Sequence, residues 1–412
     1  MQWNKEVIEF IAVELPLELS FELCTECWAQ LYISVYLDGV MLFPKLLLLL
    51  VVYLTQVICE ESPIANDANA NFDTNVYEKS SIINGKPDDV IGGGDGSDES
   101  KKRNEDDAIS SNVYTIPTVT LKSGHKMPLL GLGSDKLEGG TVKLVKEALE
   151  MGYRLIDTAK NYEATWTESS EVAIAKGIAA SGVPRSEIFL TTKIMPDFFG
   201  IKEMRKAVKE CLTDLRTDYL DLLLLHHPSC EEDDTDCSAT GTLLEGWKNM
   251  AAMVNEGMVR DIGVSNVFSQ QLKNLSMEGE KPISVLQNWF DPFHQDRRTR
   301  AVAAKNGIAY TGYSTLGVVW TDEGVKENPV FIDSTIKQIA DRRNCAPSDV
   351  VLKWAVTRGV AVIPGSTNST HLRMNYNSLK VKLTEEDLIL MDGLNNKLTH
   401  DYGSSGIGGG EL

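Results

Sequence analysis

Asp157-Thr-Ala-Lys-Asn-Tyr162, Thr191-Thr-Lys193, Leu222-Leu-Leu-Leu-His226-His227-Pro228 and Gly263-Val-Ser265-Asn266 follow one another between Gly152 and Asn266. Each phrase closes or follows an apolar run of strand length, and a segment of helical period separates it from the next. A carboxylate, a phenol, an ammonium and an imidazole therefore fall at the ends of successive strands. In a parallel sheet those ends share one face, so the four groups are expected to converge there.

The same alternation continues outward in both directions. Runs that suit buried strands lie at Leu129–Ser134, Tyr153–Asp157, Ile188–Lys193, Leu220–His227, Val259–Asn266, Ile283–Phe290, Ala309–Leu316 and Val360–Gly365. Helical period occupies Val142–Met151, Glu171–Ala180, Lys202–Leu215, Leu243–Glu256, Gln270–Leu275, Arg297–Lys305, Val330–Arg343 and Ser348–Arg358. Strands that are apolar throughout are covered on both faces. Eight such units predict an α/β fold of the (β/α)8 TIM-barrel type over residues 114–395, rather than a doubly wound sheet. Val119-Thr-Leu-Lys-Ser-Gly124-His-Lys-Met-Pro128 reads as an N-terminal β-hairpin that caps the barrel floor. Gly131-Leu-Gly133-Ser134 lacks the third glycine and the acidic ribose partner of a dinucleotide fingerprint.

The 412 residues are 42% hydrophobic, and 40 basic against 59 acidic side chains give a net charge of −19. That balance argues against a nucleic-acid groove and against an anionic membrane as partner. Residues 60–113, rich in Asp, Asn, Gly and Ser without apolar period, read as a disordered acidic linker. Residues 1–59 read as a leader whose apolar core, 46–54, is short for a membrane span. Taken from Met41, it resembles a secretory signal peptide ending near Val57-Ile-Cys59, although residues 1–40 sit awkwardly ahead of it. Three destinations stay open: the secretory pathway or ER lumen, an uncleaved membrane anchor, or the cytoplasm if the leader does not act. Residues 396–412, rich in Gly and Ser, read as a flexible tail. Cys24 and Cys27 lack the second pair a zinc site needs. Cys230 and Cys237 bracket a loop after His226, either as a small closed ring in an oxidising lumen or as two free thiols. Asn274-Leu-Ser and Asn368-Ser-Thr are glycosylation sequons if the domain reaches that lumen.

The converging groups suit carbonyl reduction. When a hydride adds to a carbonyl carbon, the oxygen needs a proton. Tyr162 is an apt donor if its pKa, ordinarily about 10, comes down. The Lys193 ammonium favours phenolate, Asp157 keeps that lysine charged, and a neutral His226 orients the carbonyl oxygen. Adjacent strand residues point to opposite faces, which argues against His226 and His227 as a metal pair, and no metal is expected. Trp166 and Trp320 fall in predicted loops and read as exposed rim residues. Gln287, flanked by Trp289 and Phe290, also admits a purely structural role.

These residues and the words around them resemble the aldo-keto reductase family over roughly Thr118 to Asn395. The resemblance implies a barrel that binds an extended NADPH, or NADH, without a Rossmann domain. Carried over by residue, it implies Ser265, Asn266 and Gln287 on the nicotinamide carboxamide and Tyr313 stacked on the ring. It also implies Ser314 and Leu316 beside the pyrophosphate and Asn375 at the adenine. Ser366 and His371 stand where the family clasps a 2′-phosphate. There the family's lysine is Gly365 and its arginine is His371, leaving Ser366, Thr367, Asn368 and Arg373. Charge-assisted hydrogen bonds contribute about 1.5–3 kcal/mol each, so discrimination between NADPH and NADH is expected to weaken. An insertion after Tyr162, Glu163-Ala-Thr-Trp166-Thr-Glu-Ser, enlarges the substrate rim, and His227 replaces the family's tryptophan. The implied activity is NAD(P)H-dependent reduction of a small-molecule aldehyde or ketone by a monomer. The alternative is a cofactor-binding sensor or regulatory protein with little turnover.

Overall fold

The computed structural model describes residues 114–398 apart from 166–167, 231–236 and 323. The leader, the acidic linker, Trp166 and the tail beyond residue 398 lie outside the described residues. In chain order the elements are β1 (Thr118–Thr120), β2 (Lys126–Pro128), β3 (Leu132–Gly133), α1 (Thr141–Met151), β4 (Leu155–Asp157), β5 (Glu163–Thr165), β6 (Glu168–Ser169) and α2 (Ser170–Ser181). They continue with β7 (Phe189–Ile194), α3 (Ile201–Asp214), β8 (Leu220–Leu225), α4 (Leu243–Asn255), β9 (Val259–Ser265), α5 (Ser269–Glu278), β10 (Val285–Trp289), α6 (Arg297–Lys305) and β11 (Ala309–Tyr313). The chain finishes with α7 (Val318–Asp322), α8 (Pro329–Ile332), α9 (Ser334–Arg343), α10 (Pro347–Thr357), β12 (Val360–Val362), α11 (Ser369–Ser378) and α12 (Glu385–Asp392).

Eight parallel strands pair in the order β12-β11-β10-β9-β8-β7-β4-β3. The two ends of this sheet meet. Leu130 bridges Val362 in parallel, the Gly131 N–H reaches the Val362 carbonyl at 2.9 Å, and the Val362 N–H reaches that of Leu129 at 3.0 Å. The sheet thus closes on itself, which removes the unpaired edges an open sheet carries. Glycine makes the seam possible. A Cβ at Gly133 would stand 2.5 Å from the Ile363 carbonyl oxygen, and one at Gly365 would stand 2.9 Å from that of Gly133.

Every predicted strand is present, all but β7 shortened, and β7 is shifted by one residue. β7, β8 and β10 are buried along their whole length, in keeping with strands covered from both sides. The β1–β2 hairpin turns at Gly124, where φ is +90°. Its turn is clasped by Asp261 near the N-terminal end of β9, which places the hairpin on the barrel floor.

The helices α7, α11 and α12 have no predicted counterpart, and one predicted helix is divided. The single helix predicted over Val330–Arg343 is two, α8 and α9. Asp333 leaves helical backbone (φ −57°, ψ 133°), and its carboxylate accepts the N–H groups of Thr335 and Ile336 at 2.8 and 3.0 Å. An N-cap mid-pattern stops one helix and starts another although the apolar period runs on. Trp320, expected on an exposed rim, is 4% exposed within α7. The insertion after Tyr162 folds as its own antiparallel hairpin, β5–β6, and the Ser169 hydroxyl then caps α2 by accepting the Val172 N–H.

Candidate active site

Asp157 ends β4, Lys193 lies late in β7, and His226 follows β8 directly, so the alternation delivers all three to the C-terminal mouth. Register explains their proximity, since β4 and β7 pair Asp157 with Thr191 while β7 and β8 pair Lys193 with Leu224. Lys193 is 1% exposed. Its ammonium donates to Asp157 Oδ1 at 2.5 Å, to the Thr158 carbonyl at 2.9 Å and to the Tyr162 hydroxyl at 3.4 Å, which uses its three protons. Asp157 Oδ2 accepts the side-chain amide of Gln287 at 2.8 Å. The Tyr162 ring meets the His226 ring edge-on, with centroids 5.8 Å apart. The four groups picked from the sequence therefore form one cluster.

The electrostatics correct one expectation. The Tyr162 phenol is not depressed but raised above its ordinary value. Burial disfavours phenolate, and the opposing Lys193 charge is offset by Asp157 and Asp135. In the protein alone Tyr162 is accordingly a protonated phenol, which is the form a proton donor must have. Burial also acts to lower Lys193, but Asp157 and the phenol outweigh it and keep the ammonium above its ordinary pKa. Burial, helped by the Lys193 and His227 charges, drives His226 well below the ordinary imidazole range, so it is neutral. Its buried Nδ1 has no hydrogen-bond partner among the described residues. The expectation that His226 and His227 face opposite ways also fails. β8 ends at Leu225, strand alternation stops there, and the two rings lie 4.8 Å apart at 38°.

The residues assigned to the nicotinamide end form a second network joined to the first. Ser265 and Gln287 are register partners on β9 and β10, and the Ser265 hydroxyl donates to the Gln287 carbonyl at 2.7 Å. Asn266, left-handed at φ +57°, donates to the His226 carbonyl at 2.9 Å and accepts the Tyr313 hydroxyl at 2.7 Å. Gln287 is thereby bonded to the catalytic carboxylate, a contact its spacing did not disclose. After β11 the chain turns sharply. Ser314 has φ +52° and Gly317 φ +77°, the Gly317 N–H reaches the Ser314 carbonyl at 2.7 Å, and the Leu316 carbonyl accepts from Asn328 at 2.8 Å.

At the adenosine end, the Ser366 hydroxyl and His371 Nδ1 are 3.4 Å apart. Asn368 caps α11 by accepting the Thr370 N–H at 2.8 Å. Asn375 lies one turn beyond His371 on the same face and is buried, whereas Arg373 is exposed and two residues out of phase with that face. Cys230 and Cys237 are bonded, with Cα atoms 5.7 Å apart, which decides between the two alternatives the sequence left open. Past the bridge, the Ser238 N–H is held by Asp197 at 2.6 Å, fixing the end of this loop against the one that follows β7.

A profile of the Aldo/keto reductase family matches residues 130–396. The chain belongs to that family. It is 33% identical over 302 residues to the NAD(P)H-dependent D-xylose reductase I,II of Candida tropicalis, spanning 68% of this chain and 92% of that protein. It is 36% identical over 263 residues to methylglyoxal reductase DkgB of Escherichia coli O157:H7, spanning 63% of this chain and 90% of that one. The crystal structure of a Bombyx mori aldo-keto reductase in complex with NADP aligns with a TM-score of 0.63 at 28% identity, covering 69% of this chain and 94% of that one. The family match begins at residue 130, the position of the bridge that seals the aldo/keto reductase barrel.

Proposed function

We propose that residues 114–395 form a catalytic unit that reduces an aldehyde or ketone to the alcohol with NAD(P)H. The observation that carries this reading is the buried Asp157–Lys193 pair with its third proton aimed at the Tyr162 hydroxyl, beside a neutral His226. A nicotinamide fits the residues present, because the half-buried Tyr313 ring and Asn266 adjoin the quartet and the turn at Ser314–Gly317 follows at once. Such a cofactor supplies the hydride when bound. Tyr162 then gives its proton to the carbonyl oxygen, and the Lys193 ammonium faces the phenolate left behind. The low pKa of His226 keeps it an imidazole that orients the carbonyl oxygen without competing as an acid. Every group in this account comes from one chain, so a single copy suffices for the chemistry.

The relatives named above are reductases of D-xylose and methylglyoxal, which supports small polar carbonyl compounds as the substrate class. Incubating the full chain with NADPH or NADH and a panel of reactive aldehydes is the direct test. Oxidation of the cofactor is expected. Tight cofactor binding with no turnover across the panel would instead favour the sensor reading.

Cofactor choice follows from the seam. Gly365 fills the family's lysine position, and a side chain there would press on the Gly133 carbonyl oxygen. The family's cation is therefore absent at Gly365, and Arg373 is exposed on α11. NADH should be used with an efficiency close to that of NADPH. A preference for NADPH of about a thousandfold, or about 4 kcal/mol, would contradict this. The Cys230–Cys237 bridge supports residence in an oxidising compartment. Mapping the mature N-terminus of secreted or lumenal protein tests that placement, and recovery from cytosol alone would overturn it.

A further inference from the structure

Asp291 is a carboxylate the reduction does not use, and it is fully buried. Its Oδ2 accepts the indole N–H of Trp289 at 2.9 Å and that of Trp320 at 2.7 Å. Its Oδ1 accepts the backbone N–H groups of Phe293 at 2.7 Å and His294 at 3.0 Å. Aromatic rings wall it in. His294 stacks on Trp289 at 4.1 Å, Trp320 meets Trp289 edge-on at 5.4 Å, and Phe293 meets Trp320 edge-on at 6.3 Å. All four donors are neutral, and an indole can only donate, so the box needs an acceptor with capacity for four bonds.

Two of these walls belong to different parts of the cofactor region. Trp289 ends β10, two residues after Gln287, while Trp320 lies in α7, just past the Ser314–Gly317 turn. That turn is consequently held at both ends. At its start Tyr313 belongs to β11 and donates to Asn266 at 2.7 Å. At its end Trp320 is tied to Asp291.

We propose that Asp291 is a positioning residue for the nicotinamide cofactor: by gripping Trp320 it fixes the 314–317 turn and so sets cofactor affinity. The inference rests on the cofactor-binding reading given above.

A titration signature accompanies the geometry. Burial lifts the Asp291 carboxyl to about 6 against the pull of its four hydrogen bonds. The buried Arg300 guanidinium of α6 lies 4.9 Å from the ring of Phe290, the residue before Asp291, and 5.7 Å from that of Tyr310. His294 is lowered by burial, and Asp296 bonds Tyr310 at 2.8 Å and Asn288 at 3.0 Å. From α7 comes Asp322, exposed and paired with Lys136, and from the C-terminal turn the exposed Lys397. Protonating Asp291 turns an acceptor site into a donor and must release one N–H. Cofactor affinity should therefore fall as pH drops through about 6.

The test uses the full chain and calorimetric titration with NADPH and with NADH, alongside steady-state kinetics. Trp320→Phe keeps an aromatic ring but removes the indole N–H together with the second fused ring, while Asp291→Asn keeps the shape and removes the charge. Both should raise Kd roughly tenfold, about the effect of one hydrogen bond, with kcat at saturating cofactor within about twofold of wild type. The wild-type Kd for NADH, which lacks the 2′-phosphate that itself ionises at about pH 6, should weaken by a similar factor from about pH 7.5 to about pH 5, and that dependence should vanish in Asp291→Asn. Unchanged Kd in both variants, or a pH dependence that survives Asp291→Asn, would overturn the proposal while leaving the reductase reading intact. Wild-type protein that binds neither dinucleotide would bring down that reading and this one with it.

Discussion

Asp157 and Asp261 are both buried aspartates on barrel strands, one at the mouth and one near the floor, and they do opposite work. Asp157 faces a lysine that is itself 1% exposed and shares that lysine with a phenol. Asp261 accepts from the Ser284 hydroxyl at 2.6 Å, the Ser123 hydroxyl at 2.8 Å and the imidazole of His125 at 2.6 Å, whose side chain is 44% exposed. At the mouth, a buried cation stands next to a group able to release a proton. At the floor, the partners are hydroxyls and a half-exposed ring, and the result is a clasp on a hairpin. The lesson is that a buried carboxylate becomes chemistry only when its partner is also withheld from water and touches a third group that can change protonation.

Removing the third group should have the largest effect. Tyr162→Phe is expected to lower kcat by about 10²–10⁴-fold, the usual contribution of a placed general acid, with cofactor Kd and melting temperature nearly unchanged. Wild-type turnover in that variant would erase the distinction between the two ends. Next come the carboxylates themselves. Asp157→Asn leaves a buried ammonium without its counter-charge and should cost about 3–5 kcal/mol of stability as well as activity, read from denaturant melts. Asp261→Asn should cost only about 1–3 kcal/mol, because two of its three donors, Ser123 and His125, can turn towards water, and kcat should survive. Equal losses from the two would mean that the floor clasp is as demanding as the catalytic pair.

The pH response sharpens the contrast. Lys193 has a raised pKa, so its stabilising effect is complete below the ordinary lysine value of about 10.4 and is lost as pH rises through the folded value. Tyr162, raised by burial, acts in the same sense, since the unfolded phenol ionises first and favours unfolding above about pH 10. Alkaline melts should therefore destabilise wild type more than a Tyr162→Phe variant, and identical slopes would show the phenol to be solvated. The smallest effect belongs to His125→Ala. Water and salt screen its half-exposed bond to Asp261, and about 1 kcal/mol or less should be lost, measured against added salt.

Most of the barrel was legible because its strands are short apolar runs at regular intervals, and four polar words stood at their ends. Asp157, Tyr162, Lys193 and His226 could be picked out by chemistry alone. What escaped was whatever depends on side chains meeting across elements. Periodicity runs through Asp333 without revealing that its carboxylate recaps the helix. Trp320 looked like a loop residue because its burial depends on Asp291, reached from another strand. Gln287 gave no hint that its amide would settle on Asp157. The direction of the Tyr162 shift was missed because the lysine was considered as a bare charge, whereas Asp157 offsets much of it and desolvation prevails.

The bridge between Leu130 and Val362 joins the first barrel strand to the last. A piece that ends before Val360 cannot complete the cylinder, so a nascent chain must keep two bare strand edges until its final β-segment has emerged. Long-range closure of that kind slows assembly and leaves those edges open to stray pairing. A product truncated before Val360 should consequently aggregate rather than persist as a smaller folded protein.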